Sequence, residues 1–357
     1  MYLNFQTKNT LIAELKKHTI KNNNALSVIN NTVLVDVKEG YIFITSTNLN
    51  ETLITKTQTN SNEEFSFVID KKFLINALQA VNKNDGCTII IDTDKSKLFI
   101  DTFSLNYISS ELFPIIPENK EFICEIKHKT LKSMYQAEKF LVDNCRDYAN
   151  FLLFGIENNN HYVSATDSKI IFFNHRLQKE LDEAYLIPKS IINLLKKVNK
   201  YNYSVKFYRV NKGVYSIEFT GNRIIYSINT ENLSYPKLNY VMNRHELNNS
   251  LYLDIKCKEF LKSVLKLSPD KKETLCLFEL ENGKIKITYK HYEIGELTQT
   301  FDTETNFKEP FKFMLNIDLL LKIFLEDRII LDFKNATTPF RTTLNDYVMY
   351  IMPCRYE

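Results

Sequence analysis

One hairpin pattern is written three times along this chain of 357 residues, and it limits the architecture before any residue is asked for chemistry. The segments are NTVLVDVKEGYIFITSTN (31–48), NFLLFGIENNNHYVSATD (150–167) and TLCLFELENGKIKITYKH (274–291). Each joins two β-rich runs through Gly, Asn or Glu, as hairpins do. The turn residues Gly40, Asn159 and Gly283 are 119 and 124 apart, and Thr47-Asn48 and Thr166-Asp167 keep the 119 spacing. Amphipathic windows at 8–21, 70–83, 127–142, 189–200, 256–266 and 316–328 add two helices to each period, and LFP, SYP and IMP close the periods at Pro114, Pro236 and Pro353. Three markers with one period predict three similar domains, 1–120, 121–243 and 244–357, each an α+β unit with an antiparallel sheet and two helices. The pairs CTIIIDTDKSKLFIDTFSL and YSVKFYRVNKGVYSIEFTGNRIIYSINT supply further strands.

The chain ends on another strand, DYVMYIMPCRYE, apolar on both faces until Pro353. Such a strand wants a sheet on one side and a cover on the other, because an untied terminus frays.

Hydrophobic residues make up 44% and charged residues 25%, the composition of a globular protein. Six cysteines (Cys87, Cys124, Cys145, Cys257, Cys276, Cys354) lie far apart with no CxxC pair, which argues against a disulfide framework or zinc site and fits a reducing cytoplasm. No signal peptide or bilayer-length apolar run is written, so a soluble, cytoplasmic protein with no membrane partner is expected.

The net charge of +3 is unevenly spread: the six helical windows carry +14, leaving −11 on the rest. In KSIINLLKKVNK (189–200), Lys189, Lys196 and Lys200 share one face, and Ile191, Leu194, Leu195 and Val198 take the other. A lone lysine stripe is a solvated helix face, but its repetition against an acidic remainder predicts a surface for a polyanion. The sixth window breaks the trend, with Lys322 and Arg328 against Asp318, Glu326 and Asp327. Lysine outnumbers arginine there, which suits loose phosphate contact rather than base reading.

Catalytic signatures are missing. Seven glycines form no phosphate-cradling loop, and no HExxH, DxDxDG or GxSxG occurs. His18, His128, His161, His175, His245 and His291 have no ligand spacing and read as surface or capping residues. Asp167 reads as a turn residue. No enzyme, metal or cofactor is expected.

Taken together, VSATDSKII (163–171), YIMPCR (350–355), LSVINNTVLVDVKEGYIFITSTNLNETL (26–53), CRDYANFLLFGIE (145–157), AYLIPKSIINLLKKV (184–198) and LSYPKLNYVM (233–242) resemble, in order and spacing, the bacterial DNA polymerase III beta subunit, the sliding clamp. The resemblance runs the whole length. It implies a DNA clamp fold: a head-to-tail homodimeric ring of six domains, sheets outside and helices lining a hole around double-stranded DNA. Such a ring is a non-enzymatic processivity factor in DNA replication, and it tethers the polymerase III alpha subunit, the clamp loader and other clamp-binding-motif proteins.

Carried over by position, the resemblance implies a partner-peptide groove of Arg146, Ala149, Thr166, Ser168, Lys169, Ile170, Ile171, Pro236, Tyr240, Val241, Met242, Asn316, Leu319, Ala336, Thr338, Tyr350, Ile351, Met352, Pro353, Cys354 and Arg355. Its ligand would be a short peptide related to glutamine-leucine-x-leucine-phenylalanine. Ile171, Val241, Ile351 and Met352 are expected to form the apolar pocket. The DNA-facing lysines would be Lys16, Lys17, Lys21, Lys72, Lys83, Lys132, Lys139, Lys189, Lys196, Lys197, Lys200, Lys262, Lys266 and Lys322. The dimer seam would use Phe103 and Leu105 of TFSLNY, with Val264 and Leu267 opposite.

Two stretches depart from the family. TDGHRL is here TDSKII, placing Ser168, Lys169 and Ile170 where glycine, histidine and arginine stand in the family, and the PMRL or PVR ending is here PCRYE. Both alter the groove, so the peptide preference is open. Without the resemblance, the apolar groove residues read as inter-domain core. A peptide-binding adaptor without stable ring function is the second reading, and an enzyme on a three-part α+β scaffold the third.

Overall fold

The computed structural model describes the chain except residues 21–30, 82–84, 143–146, 158–159, 178–180, 182, 201–202, 229–232, 239–245 and 356–357. Within the described residues one element order occurs three times: a strand, a helix, four strands, a helix, three strands. The first round is β1 (Tyr2–Leu3), α1 (Phe5–Lys17), β2 (Thr32–Lys38), β3 (Tyr41–Thr47), β4 (Glu51–Gln58), β5 (Phe65–Asp70), α2 (Lys71–Ala80), β6 (Cys87–Asp92), β7 (Lys97–Ile100) and β8 (Phe103–Asn106). The second is β9 (Glu121–Ile126), α3 (His128–Ala137), β10 (Phe151–Glu157), β11 (Asn160–Thr166), β12 (Ile170–Leu177), β13 (Tyr185–Pro188), α4 (Lys189–Val198), β14 (Val205–Asn211), β15 (Val214–Phe219) and β16 (Asn222–Ser227). The third is β17 (Asn249–Leu253), α5 (Ile255–Leu267), β18 (Leu275–Glu281), β19 (Lys284–His291), β20 (Gly295–Asp302), β21 (Phe311–Asn316), α6 (Ile317–Ile323), β22 (Ile329–Phe333), β23 (Phe340–Leu344) and β24 (Tyr347–Ile351).

The class is α+β with antiparallel sheets, as the hairpin pattern requires. All three expected hairpins form, β2–β3, β10–β11 and β18–β19. Gly40 and Gly283 take left-handed backbone at their turns, each after a left-handed non-glycine, Glu39 or Asn282. Asn159, the expected middle turn, lies outside the described residues.

The chain divides into two compact units, Met1–Leu131 with Ser190–Asn232, and Lys132–Lys189 with Leu233–Glu357. The first holds a four-stranded sheet, β1-β6-β7-β8, and an eight-stranded sheet, β5-β2-β3-β4-β16-β15-β14-β9. Its core packs Leu11 and Leu15 of α1 and Leu74 and Leu78 of α2 with Val35, Ile42, Ile44 and Leu98 of the strands. The second holds β20-β19-β18-β21 and β13-β10-β11-β12-β24-β23-β22-β17. Here phenylalanines tie the two sheets together: Phe278 stacks on Phe313 at 5.0 Å, and Phe313 of β21 meets Phe340 of β23 at 4.7 Å. Aromatic pairs at such spacings add to their area burial.

The helices start where side chains can satisfy free N–H groups. Asn4 accepts from Thr7 N at 2.8 Å, Asp254 from Cys257 N at 3.0 Å and Asn316 from Leu319 N at 3.1 Å, and Asp70 accepts from both Lys72 N and Phe73 N. Most are shorter than their amphipathic windows. The last window, 316–328, gives a helix only to Ile323, so Glu326, Asp327 and Arg328 lie beyond it. Phe324 N closes that helix on Leu320 O, and β22 follows at once. Lys200 likewise lies past the end of α4.

His18 closes α1 and is buried, bridging Ser46 Oγ at 2.7 Å and Thr55 Oγ1 at 2.9 Å. Burial, aided by nearby Lys71 and Lys17, lowers its pKa to about 3. His161 is buried too and accepts from Leu181 N. Both are interior links rather than the surface histidines the spacing suggested.

Candidate partner groove, basic helices and open edges

The closing strand β24 is not an edge: it lies between β12 and β23 in the middle of an eight-stranded sheet. Ile170 pairs with Ile351, Ile171 with Tyr350 and Phe173 with Val348. The tail continues the tie, with Met352 N donating to Lys169 O at 2.8 Å and Cys354 N to Met314 O on the outer edge of β21 at 2.9 Å. Here is the sheet that the apolar ending demanded.

Antiparallel partners point to the same face, so Ile170 and Ile351 share the core side and are fully buried. Ile171 and Tyr350 share the other side. There they meet Leu238, with Tyr235, Leu247 and Val348 packed against the cluster. This corrects the expected pocket: Ile351 faces away from Ile171 and belongs to the core. Its place beside Ile171 is taken by Tyr350, and Val348 continues that face two residues earlier. Alternation along β24 was the signal that could have found Val348; nothing local marks Tyr235, Leu238 or Leu247.

The loop before β12 is built by its own side chains. Asp167 Oδ1 accepts from Lys169 N and Ile170 N, both at 2.9 Å, and Thr166 Oγ1 donates to Ile170 O at 2.8 Å. Asp167 is the turn residue expected. Ser168 takes left-handed backbone, φ 76°, where the family motif has glycine, so its side chain is held outward and exposed beside Lys169. Asn316 holds Lys272 O at 2.7 Å through Nδ2 as well as capping Leu319, and Thr338 Oγ1 closes a turn on Asn335 O. Asn316, Leu319 and Thr338 are buried, Ala149 fully so, while Pro236, Ala336, Met352, Pro353 and Cys354 are half-buried and Arg355 exposed. Arg146, Tyr240, Val241 and Met242 lie outside the described residues. Burial raises the Tyr350 phenol and the Cys354 thiol above their ordinary pKa values, which keeps both neutral.

Of the basic positions, Lys16, Lys72, Lys132, Lys139, Lys196, Lys197, Lys200, Lys262 and Lys266 are exposed. Lys17, Lys189 and Lys322 are half-buried, with Lys17 paired to Glu14 and Lys322 to Asp318. Lys21 and Lys83 lie outside the described residues. On α4, Ile191, Ile192, Leu194, Leu195 and Val198 are buried and the lysines lie opposite, as periodicity required.

At the expected seam, β8 is an edge strand, paired among the described residues only with β7. Phe103 is 38% exposed and Leu105 half-buried against the core. Val264 is fully buried beneath α5 and has no surface to offer, whereas Leu267 is 54% exposed. Phe73, third residue of α2 and 60% exposed, was not foreseen. Among the described residues no group of three His, Cys, Asp or Glu could hold a metal, and no helix is long and apolar enough to cross a membrane.

Comparison of structures defines the class: this is the fold of DNA polymerase sliding clamps, matched along the full chain. The solved examples are bacterial DNA polymerase III beta subunits. A sliding clamp from Bartonella birtlesii bound to griselimycin has TM-score 0.86 at 14% identity, with 100% of both chains covered. The subunit from Borrelia burgdorferi, in complex with a natural product, has 0.84 at 19%, covering 98% of each, and that from Pseudomonas aeruginosa 0.85 at 15%, covering 100% of each. No protein-family model and no curated protein matches the sequence.

Proposed function

We propose that this chain is a DNA sliding clamp: a non-enzymatic, cytoplasmic ring-forming homodimer that encircles duplex DNA and holds replication partners by short peptides. Its three rounds of elements correspond to three domains, 1–120, 121–243 and 244–357. The observation that carries the reading is the inventory of sheet joints. Within the chain, the third strand after a round's first helix joins the last strand of the next round: β4 to β16, and β12 to β24. Among the described residues, the third round has that strand, β20, with one side open, and the first round has a last strand, β8, with one side open. Joining β20 of one copy to β8 of another turns two four-stranded sheets into a third eight-stranded one and hides two exposed edges. Such a contact is head-to-tail, and repeating it closes a ring where its rotation returns to the first copy.

The made joints also supply the register. In both, the second residue of the last strand, Arg223 or Val348, stands opposite the third position of its partner, Ile54 or Phe173, counting Thr52, Ile171 and, in β20, Glu296 as the first. The same rule sets Phe103 opposite Gln299, Ser104 opposite Thr298 and Leu105 opposite Leu297. Helix burial agrees with an unmade joint. The third residue of the second helix is buried in α4 (Ile191) and α6 (Leu319), whose rounds have their last strands joined, but exposed in α2 (Phe73), whose round ends on the open strand β8. Light scattering after size exclusion tests the reading: a concentration-independent mass near twice 42.0 kDa is expected, and a monomer at all concentrations overturns it. A monomer that still binds partner peptides selects the adaptor reading.

The lysine-bearing helices would line the hole, making non-specific phosphate contacts that weaken with salt. Reversing Lys196, Lys197 and Lys200 to glutamate is expected to shorten retention on nicked circular DNA about tenfold or more without changing the fold. Unchanged retention at low salt excludes those lysines from the DNA surface. Deleting residues 353–357 removes the Cys354–Met314 tie. It is expected to abolish binding of a glutamine-leucine-x-leucine-phenylalanine peptide and leave the mass unchanged; retained binding excludes the tail from the groove.

A further inference from the structure

The apolar face shared by Ile171 and Tyr350 is not open. Leu238 lies on it, 7% exposed, and Ile171 and Tyr350 beneath are each 5% exposed. Tyr235, Leu247 and Val348 pack around this trio, and Tyr235 meets Tyr148 edge-on at 6.1 Å. An apolar side chain from outside cannot reach Ile171 or Tyr350 while Leu238 is seated there.

The segment that brings Leu238 has a twin in the first unit. Both carry an aromatic residue, a proline, one further residue and an aliphatic one: Tyr235-Pro236-Lys237-Leu238, and Phe113-Pro114-Ile115-Ile116 in the connector from β8 to β9. They are fastened differently. On the connector, Ile108 and Val68 exchange two backbone hydrogen bonds at 2.8 and 2.9 Å. Ser66 Oγ donates to Ser110 Oγ at 2.7 Å, and Lys120 pairs with Glu218. Among the described residues, no backbone hydrogen bond joins 233–238 to the strands beneath it. Its hold is side-chain packing, with the Tyr235 hydroxyl beside Ser164. A segment held in this way opens at lower cost than one hydrogen-bonded to a sheet.

We propose, on the reading of this face as the partner groove, that residues 233–238 are an autoinhibitory strap. Leu238 occupies the place that an apolar anchor of a partner peptide takes, and the peptide binds by displacing it. In the free chain the strap keeps the face out of water, where an open apolar patch invites unspecific association. Exchanging one leucine for another changes the buried apolar area little. The strap therefore weakens binding through the small fraction of molecules in which it is lifted.

The test is fluorescence anisotropy of labelled Gln-Leu-Ser-Leu-Phe with the full chain. Leu238→Ala is expected to bind about tenfold more tightly than the parent, because the lifted state becomes more populated. If Leu238 were instead a wall of the groove, the substitution would weaken binding. Trypsin gives a readout on the unaltered chain. Lys237 is exposed, and saturating peptide should speed cleavage after it roughly threefold or more, as read by mass spectrometry. Two results overturn the strap and leave the groove standing: equal or weaker binding by Leu238→Ala when the parent binds, or a cleavage rate that peptide leaves unchanged or lowers. Absence of binding by both forms overturns the groove reading and the strap with it.

Discussion

Phe73→Asp combined with Phe103→Asp is expected to convert the proposed dimer into a folded monomer at micromolar concentration. Both rings are exposed in the single chain, 60% and 38% respectively, so little folding energy is lost with them. In the proposed seam they leave water together with Leu267. Buried aromatic anchors at interface centres contribute about 2 kcal/mol or more each, so the two would weaken each seam by roughly three orders of magnitude, and the proposed ring has two such seams. Light scattering reads the mass, and thermal melting at matched concentration checks the fold. The positive counterpart is Leu105→Cys with Leu297→Cys, whose side chains face one another in the inferred register. Mild oxidation should give a covalent dimer from that pair and none from Leu105→Cys with Thr298→Cys, one residue out of register. An unchanged mass for the aspartate variant, or equal cross-linking of both cysteine pairs, excludes this seam.

The second large effect concerns stability and pH. His18 has a folded-state pKa of about 3 against an ordinary 6.5, so below pH 6.5 the unfolded chain binds a proton that the folded chain refuses. The contribution is complete above about pH 6.5, falls by about 1.4 kcal/mol per pH unit beneath it, and levels off near pH 3. At pH 4.5 about 2.7 kcal/mol should be gone. Urea unfolding of the parent chain and of His18→Gln, at pH 7.0 and 4.5, isolates this part, since the carboxylates are common to both. The stability difference between parent and variant should shrink or reverse on acidification. Parallel pH curves would mean that His18 is protonated in the fold, against its place between Ser46 and Thr55.

The hairpins, the helices and the basic faces were legible because each is set by local alternation or a 3.6-residue period. So was the need to bury the last strand, since Val348 to Met352 are apolar on both faces. Which strands they meet was not legible: pairing of Ile171 with Tyr350 depends on residues 179 apart, and only the register shows that Ile351 faces the core. Edge status is equally invisible, because TFSLNY reads the same whether or not a strand lies beside it. The α6 window ran too long because Glu326, Asp327 and Arg328 continue a helical pattern after Phe324 has closed the backbone. His18 looked like surface because its partners, Ser46 and Thr55, lie on β3 and β4, well along the chain from the end of α1.

The two joints made inside the chain differ from any made between copies in one respect. When β4 leaves β16, or β12 leaves β24, the separated strands remain on one covalent leash, and their effective concentration for rejoining is set by the linking chain. It does not fall on dilution. A β8–β20 joint between copies has no leash, so its closure depends on how many chains are present unless a second such joint still holds. Dilution, an opening factor or a competing strand would therefore act first at that seam, while the internal joints reclose at a rate blind to protein concentration.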